Sequence, residues 1–136
     1  NLAAALDALG WRVLLLDLDL QGSLSGLFFS DADLARYDRE DSLLNDFLEA
    51  SFDAEHPKLI DYVHPILSGR SALVPSNDNL FYAESNLTIR WQLRDSTRDP
   101  RFLLRKELHL KRISNDYDIV LMDCPPLLNL TCANAL

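Results

Sequence analysis

Three carboxylates stand where two apolar runs end. The first run is Leu14-Leu15-Leu16-Asp17-Leu18-Asp19-Leu20-Gln21-Gly22, and the second is Ile119-Val120-Leu121-Met122-Asp123-Cys124-Pro125-Pro126. In an open α/β sheet, ligands bind beyond the carboxyl ends of the strands. If both runs are parallel strands, Asp17, Asp19 and Asp123 gather at one edge. Clustered carboxylates repel one another and need a cation or proton donors. Mg²⁺ prefers carboxylate oxygens together with retained waters, and a bound phosphate would share it. The pattern therefore points to Mg²⁺-phosphate chemistry. Each Asp also has a plainer reading as the cap of a following turn. Gly22 and Pro125-Pro126 form turns in that reading, and let a loop move in the functional one.

These acids need a scaffold, and the rest of the chain reads as one. Leu2, Ala3, Ala5, Leu6 and Leu9 recur at helical spacing, with Gly10 as a stop signal, which predicts a helix over 1–9. Val13–Leu16 is continuously apolar, as in a strand of a parallel sheet buried on both faces. Gln21–Ser25 reads as a polar turn, and residues 27–41 as a loop with one short helix. Ser42 is the expected N-cap of a helix over Leu43–Ala50. Leu59–Val63 reads as a short strand, Pro65 and Gly69 frame a turn, and Ala72–Val74 is a second buried strand. Asn79–Leu93 is expected to be helical despite Asn86 and Thr88. Arg101–Ile113 reads as one amphipathic helix, with Phe102, Leu103, Leu108 and Ile113 on its apolar side. Ile119–Met122 is the third strong strand, and 129–136 begins another helix. Alternating strands and helices predict a doubly wound, mostly parallel α/β sheet with helices on both faces. All 136 residues read as one partial domain, with no repeat, linker or internal boundary.

Composition excludes several classes. Hydrophobic residues make up 48% and charged residues 25% of the chain, ordinary for a globular domain. No apolar run approaches the roughly 18 residues of a membrane helix, and no secretory signal pattern is present. The net charge of −8 argues against a stand-alone nucleic-acid binder, which needs clustered Lys and Arg. The nearest basic group, Arg105, Lys106, Lys111 and Arg112, is expected on a solvent face. Cys124 and Cys132 lack zinc or redox spacing and are expected as reduced thiols of a cytoplasmic protein. His56, His64 and His109 are too scattered for a metal site.

The stretch Asn1-Leu2-Ala3-Ala4-Ala5-Leu6, followed by Gly10 through Gly22, resembles the segment after the deviant Walker A loop in ParA/MinD-type ATPases. Tyr117 through Pro126, followed by Asn134-Ala135-Leu136, resembles the same family's Walker B strand and the helix after it. The ordered pair of blocks is more specific than either alone, and it leans toward the partition branch, closest to ParA. The resemblance implies a P-loop NTPase-like fold, ATP and Mg²⁺ as cofactors, and the following roles. Asp19 would be the catalytic acid that orients the attacking water. Asp17 would lie near the Mg²⁺ shell, and Gln21 in the first switch loop. Asp123 would be the Walker B acid holding Mg²⁺ through water, with Cys124, Pro125 and Pro126 in the second switch. It further implies a nucleotide-dependent homodimer, a partner protein of ParB type and non-specific DNA contact through regions outside this chain. Leu20 departs from the family's usual Pro, which should loosen the turn without removing a ligand.

The glycine-rich loop and the strand before it are not among these residues. That loop supplies the backbone N–H groups and helix N-terminus that hold phosphates. The 136-residue piece alone is expected to bind nucleotide poorly, to be inactive, and to expose strand edges. Two alternatives remain open from the residues. One is a haloacid dehalogenase-type phosphatase with Asp17 as nucleophile and Asp19 as general acid; the absence of Gly directly after Asp19 counts against it. The other is a non-catalytic interaction module with an acidic edge.

Overall fold

The computed structural model describes residues 2–53, 56–93, 98–126 and 128–136. The chain opens with helix α1 (Leu2–Ala8), as the helical spacing predicts; Asn1 lies outside the described residues. Gly10 adopts φ +94° and turns the chain into strand β1 (Val13–Asp17). All five β1 residues are buried. Leu14 and Leu16 enter one core cluster, while Val13 and Leu15 enter another on the opposite face. That alternation explains the continuous apolar run: a strand covered on both sides has no polar face to alternate with.

Four strands form the sheet, in the order β2 (His64–Ile66), β3 (Ser71–Val74), β1, β4 (Ile119–Asp123). β1 pairs in parallel with both β3 and β4, and β2 joins β3 antiparallel. The mostly parallel, doubly wound α/β reading holds. On the larger face, α4 (Leu44–Phe52), α5 (Asn79–Gln92), α6 (Leu103–Leu108) and α7 (Lys111–Asp116) bury Phe47, Phe52, Leu80, Leu87, Leu104 and Ile113 against Leu14, Leu16, Ala72 and Val74. Each such fully buried side chain contributes about 2 kcal/mol of transfer free energy. On the smaller face, Ala3 and Leu6 of α1 and Leu24 and Phe28 of α2 (Ser23–Phe28) cover Val13, Leu15 and Leu73.

Several local expectations need correction. Residues 27–41 are not a loop with one helix: α2 begins inside the expected Gln21–Ser25 turn, and α3 spans Asp31–Arg39. Ser30 starts α3 through a capping box, its hydroxyl accepting from the Asp33 amide at 3.2 Å while the Asp33 carboxylate accepts from the Ser30 amide. No α3 residue is fully buried, and of its apolar side chains Leu34 and Tyr37 are half-buried. Ser42 does not cap α4. The Asp46 carboxylate accepts from the Leu43 amide at 2.8 Å, and the Ser42 hydroxyl instead meets His64 Nε2 at 3.0 Å.

Leu59–Tyr62 is a 3₁₀ turn rather than a strand. The strand is the next segment, His64–Ile66, whose Pro65 is tolerated because β2 lies at the sheet edge. The expected helix Arg101–Ile113 is broken into a 3₁₀ turn (Pro100–Phe102), α6 and α7. Asp99 caps the first piece by accepting from the Arg101 amide, and an extended Leu110 (ψ 142°) interrupts the helix before α7. Leu103, Leu104 and Ile113 go inward, but Phe102 stays 41% exposed. Helix α8 (Leu130–Ala135) closes the described chain.

Candidate functional site

The parallel register of β1 and β4 sets Asp17 directly beside Asp123. The Leu18 amide then donates to the Asp123 carbonyl at 2.9 Å, extending the pairing one residue past β1. The two acidic strand ends therefore share one edge because β1 and β4 point the same way. Asp123 is exposed and Asp19 is half-buried, whereas Asp17 has no exposed surface.

Each acid has a distinct environment. Asp17 Oδ2 accepts from both the Ser25 amide at 2.7 Å and the Ser25 hydroxyl at 2.6 Å, and Oδ1 accepts from the Asp19 amide at 3.3 Å. Burial pushes the Asp17 carboxyl above the ordinary carboxylate range, the Ser25 and Asp19 donors pull it back, and the Asp123 charge adds to the rise. Asp17, expected near a cation shell, is buried and bound to loop donors. Asp19 heads that loop. Its Oδ1 accepts from the Gln21 amide at 3.1 Å, and its carbonyl accepts from the Gly22 amide at 3.0 Å. Gln21 is exposed beside it.

Gly22 sits at φ +60°, and a Cβ there would lie 2.9 Å from the Ser76 carbonyl oxygen. Only glycine fits this close approach in the left-handed region. On the second loop, Cys124 is exposed and Pro125 half-buried. Partial desolvation by the surrounding loop raises the Cys124 thiol pKa, and the neighbouring Cys132 thiol adds to the rise.

Residue types alone did not point to the side chains that tie these loops down. Ser25 bridges Asp17 to the β3–α5 segment, its hydroxyl accepting from the Ser76 amide at 2.9 Å. Thr131 Oγ1 lies 3.2 Å from the Leu18 carbonyl, joining α8 to the residue between Asp17 and Asp19. The Thr131 amide donates to the buried Glu84 carboxylate at 2.9 Å. Asn134 accepts from the Leu104 amide at 3.0 Å and donates to the Pro100 carbonyl at 2.7 Å. Asn134 alone among these fell within a motif visible in the sequence. A serine or threonine in a polar stretch carries no signal of its own.

The site offers limited but suitable chemistry for a hydrated cation. Among the described residues, no group of three His, Cys, Asp or Glu side chains converges as a metal cage. Mg²⁺ commonly takes one or two carboxylates, with waters and phosphates completing its shell. Asp123 is the exposed carboxylate at the edge able to serve in that way. A cavity of about 630 Å³ between α5 and α8 is lined by residues including Glu84, Thr88, Ile89, Trp91 and Leu130 and by none of the three acids.

An AAA domain family model matches residues 1–136. The chain is 32% identical over 136 residues to the chromosome partitioning protein ParA of Caulobacter vibrioides, covering all of this chain and 45% of that protein. It is 30% identical over 141 residues to the sporulation initiation inhibitor protein Soj of Bacillus subtilis, covering all of this chain and 46% of that protein. Among solved structures it resembles a cobyrinic acid a,c-diamide synthase from Mycobacterium smegmatis with bound ATP analog and magnesium. The TM-score is 0.72 at 28% identity, over 98% of this chain and 46% of that one. The chain thus spans about half the length of the curated relatives it matches. With the family model covering every residue, and with the shared edge of β1 and β4, the chain belongs to the ParA-type family of P-loop ATPases.

Proposed function

We propose that the full-length protein carrying this chain is a Mg²⁺-dependent ATPase of the ParA type. It dimerises with bound ATP and serves chromosome or plasmid partition or a related positioning task in the cytoplasm. Its partners are a protein of ParB type and, through regions outside this chain, non-specific DNA. The observation that carries the reading is the register of Asp17 with Asp123, which brings the Asp19 loop and the Cys124-Pro125 loop to one sheet edge. The similarity of all of this chain to part of a chromosome partitioning protein ParA favours partition within the family. No described helix is long and apolar enough to cross a membrane.

In this reading Asp123 holds the hydrated Mg²⁺, which supplies charge neutralisation on the phosphates when bound. Asp19 orients the attacking water; phosphoryl transfer demands mainly positioning and charge stabilisation from the protein. Gln21 and Pro125 belong to the two loops that respond to the nucleotide. Asp17 stands behind Asp123 and shapes its field, rather than contacting the ion. The phosphatase alternative needs Asp17 as an accessible nucleophile, but that carboxylate is fully buried and engaged by Ser25. In the full-length protein, Asp19→Ala should abolish ATP hydrolysis while ATP binding and dimerisation persist. Unchanged turnover removes Asp19 from the mechanism. An unmodified full-length protein that neither binds nor hydrolyses ATP supports the interaction-module alternative.

A further inference from the structure

We infer that Ser25 is a positioning residue for Asp19: it locks the loop that carries Asp19 between a buried carboxylate and the segment after β3. The inference rests on the proposed ATPase reading for its functional meaning. Its structural basis is independent of that reading.

One carboxylate grips both ends of the loop. Asp17 Oδ1 takes the amide of Asp19 at the loop's start, and Oδ2 takes the amide and hydroxyl of Ser25 at its end. Residues 18–24 are thereby closed on Asp17. The Ser25 hydroxyl spends its single proton on Asp17 and uses its oxygen to accept from the Ser76 amide at 2.9 Å. It is the hinge pin between the loop and the β3–α5 segment.

That segment is itself anchored. The Pro75 carbonyl accepts from the Leu44 amide at 2.8 Å, and Asn77 and Asn79 both donate to Asp38 Oδ1, at 2.8 and 2.9 Å. Gly22 lies so close to the Ser76 carbonyl that no side chain fits between them. The Ser76 hydroxyl also reaches the Asp19 carbonyl at 3.4 Å. Asp19 thus sits on a loop held by both the Asp17 carboxylate and the Ser76 segment.

A fold that needed only to close this turn would do so more cheaply with apolar groups. A buried carboxylate carries a desolvation penalty, and among the described residues no Lys, Arg or His forms an ion pair with Asp17. What the Asp17–Ser25–Ser76 chain adds over apolar packing is fixed geometry, because hydrogen bonds specify direction and distance. Misplacing a catalytic group by about 1 Å can slow a reaction about 100-fold. A positioning role therefore predicts a loss in turnover rather than in nucleotide binding.

The test uses the full-length protein with Ser25→Ala, Ser25→Thr, Ser25→Cys and Asp19→Ala, assayed for kcat, KM, ATP affinity and melting temperature at a temperature where each is folded. Ser25→Ala should lower kcat about 10- to 100-fold with ATP affinity changed less than about 3-fold. Ser25→Thr, which keeps the hydroxyl, should restore most of kcat. Ser25→Cys, a weak donor of similar size, should fall between them and replaces the Ala variant if that one does not fold. A kcat for Ser25→Ala or Ser25→Cys within 2-fold of the parent, with Asp19→Ala inactive, overturns the inference and leaves the ATPase reading standing. An active Asp19→Ala overturns the ATPase reading itself. A threonine variant as impaired as alanine, at equal stability, also overturns the inference, because packing rather than the hydroxyl would then be at work.

Discussion

Replacing Gly22 with Ala should destabilise the protein more than the same change at Gly10, and the structure says by how much. Both glycines have positive φ, +60° at Gly22 and +94° at Gly10, so both substitutions carry backbone strain. For an L-residue that strain is about 1–2 kcal/mol. Their surroundings differ. A Cβ at Gly10 meets nothing within 4 Å, whereas a Cβ at Gly22 meets the Ser76 carbonyl oxygen at 2.9 Å and Asn77 Cα at 3.3 Å. The Ser76 peptide cannot retreat freely. Its amide is bound to Ser25, and the preceding Pro75 carbonyl to Leu44. Relieving the overlap means stretching one of those bonds or shifting the loop, about 1–3 kcal/mol beyond the strain. Gly22→Ala should therefore cost about 2–5 kcal/mol and exceed Gly10→Ala by at least about 1 kcal/mol. Urea denaturation of the full-length protein, followed by circular dichroism, measures both on one scale. Equal losses at the two positions, or a smaller loss at Gly22, would refute the claim that the loop is packed hard against the Ser76 segment.

Three further outcomes follow from the same geometry. Asn134→Leu, which keeps the number and branching of side-chain heavy atoms, should destabilise by about 2–4 kcal/mol, because it strands the buried Leu104 amide and the Pro100 carbonyl; a loss under about 1 kcal/mol in denaturation would contradict the anchoring role. Asp46 is raised from 3.8 to about 6, first by burial and then by the Asp41, Asp38 and Glu49 charges, so the fold prefers its protonated form. Its ionisation penalty is absent below pH 3.8, grows as pH rises toward 6, and is complete above. Asp46→Asn should accordingly gain stability relative to the parent between pH 4 and pH 7, by about 1 kcal/mol after allowing for partial solvent screening; a pH-independent difference argues against it. Asp118, held to about 2 first by the Arg12 guanidinium and then by the Arg12 backbone amide, should titrate higher in Arg12→Ala but stay below 3.8, because the amide remains, as followed by carboxyl NMR; no change would separate the pair.

The loops that matter most for function were the least legible, and for physical reasons. α3 buries no residue fully, and its apolar side is only Leu34 and Tyr37 set among charges; its start is written in the short Ser30–Asp33 capping box. The Leu59–Val63 assignment failed because apolar content does not distinguish a strand from a 3₁₀ turn. Pairing with β3 decided which residues became β2. The Arg101–Ile113 helix failed at Leu110, where periodicity continues but the backbone does not.

By itself, the sequence determined the buried strands, their alternation with helices and the family resemblance, because continuous apolar runs ending in Asp have few other uses. Asp17, Asp19 and Asp123 could be picked out from type and position along two strands. Only the tertiary structure divided their labour. Parallel pairing placed Asp17 beside Asp123, but α2 then folded back so that Ser25 covered Asp17, leaving Asp123 exposed and Asp19 on the loop between. Burial and hydrogen-bond partners come from segments distant in sequence, Ser76 above all, and no local pattern of residue types encodes them.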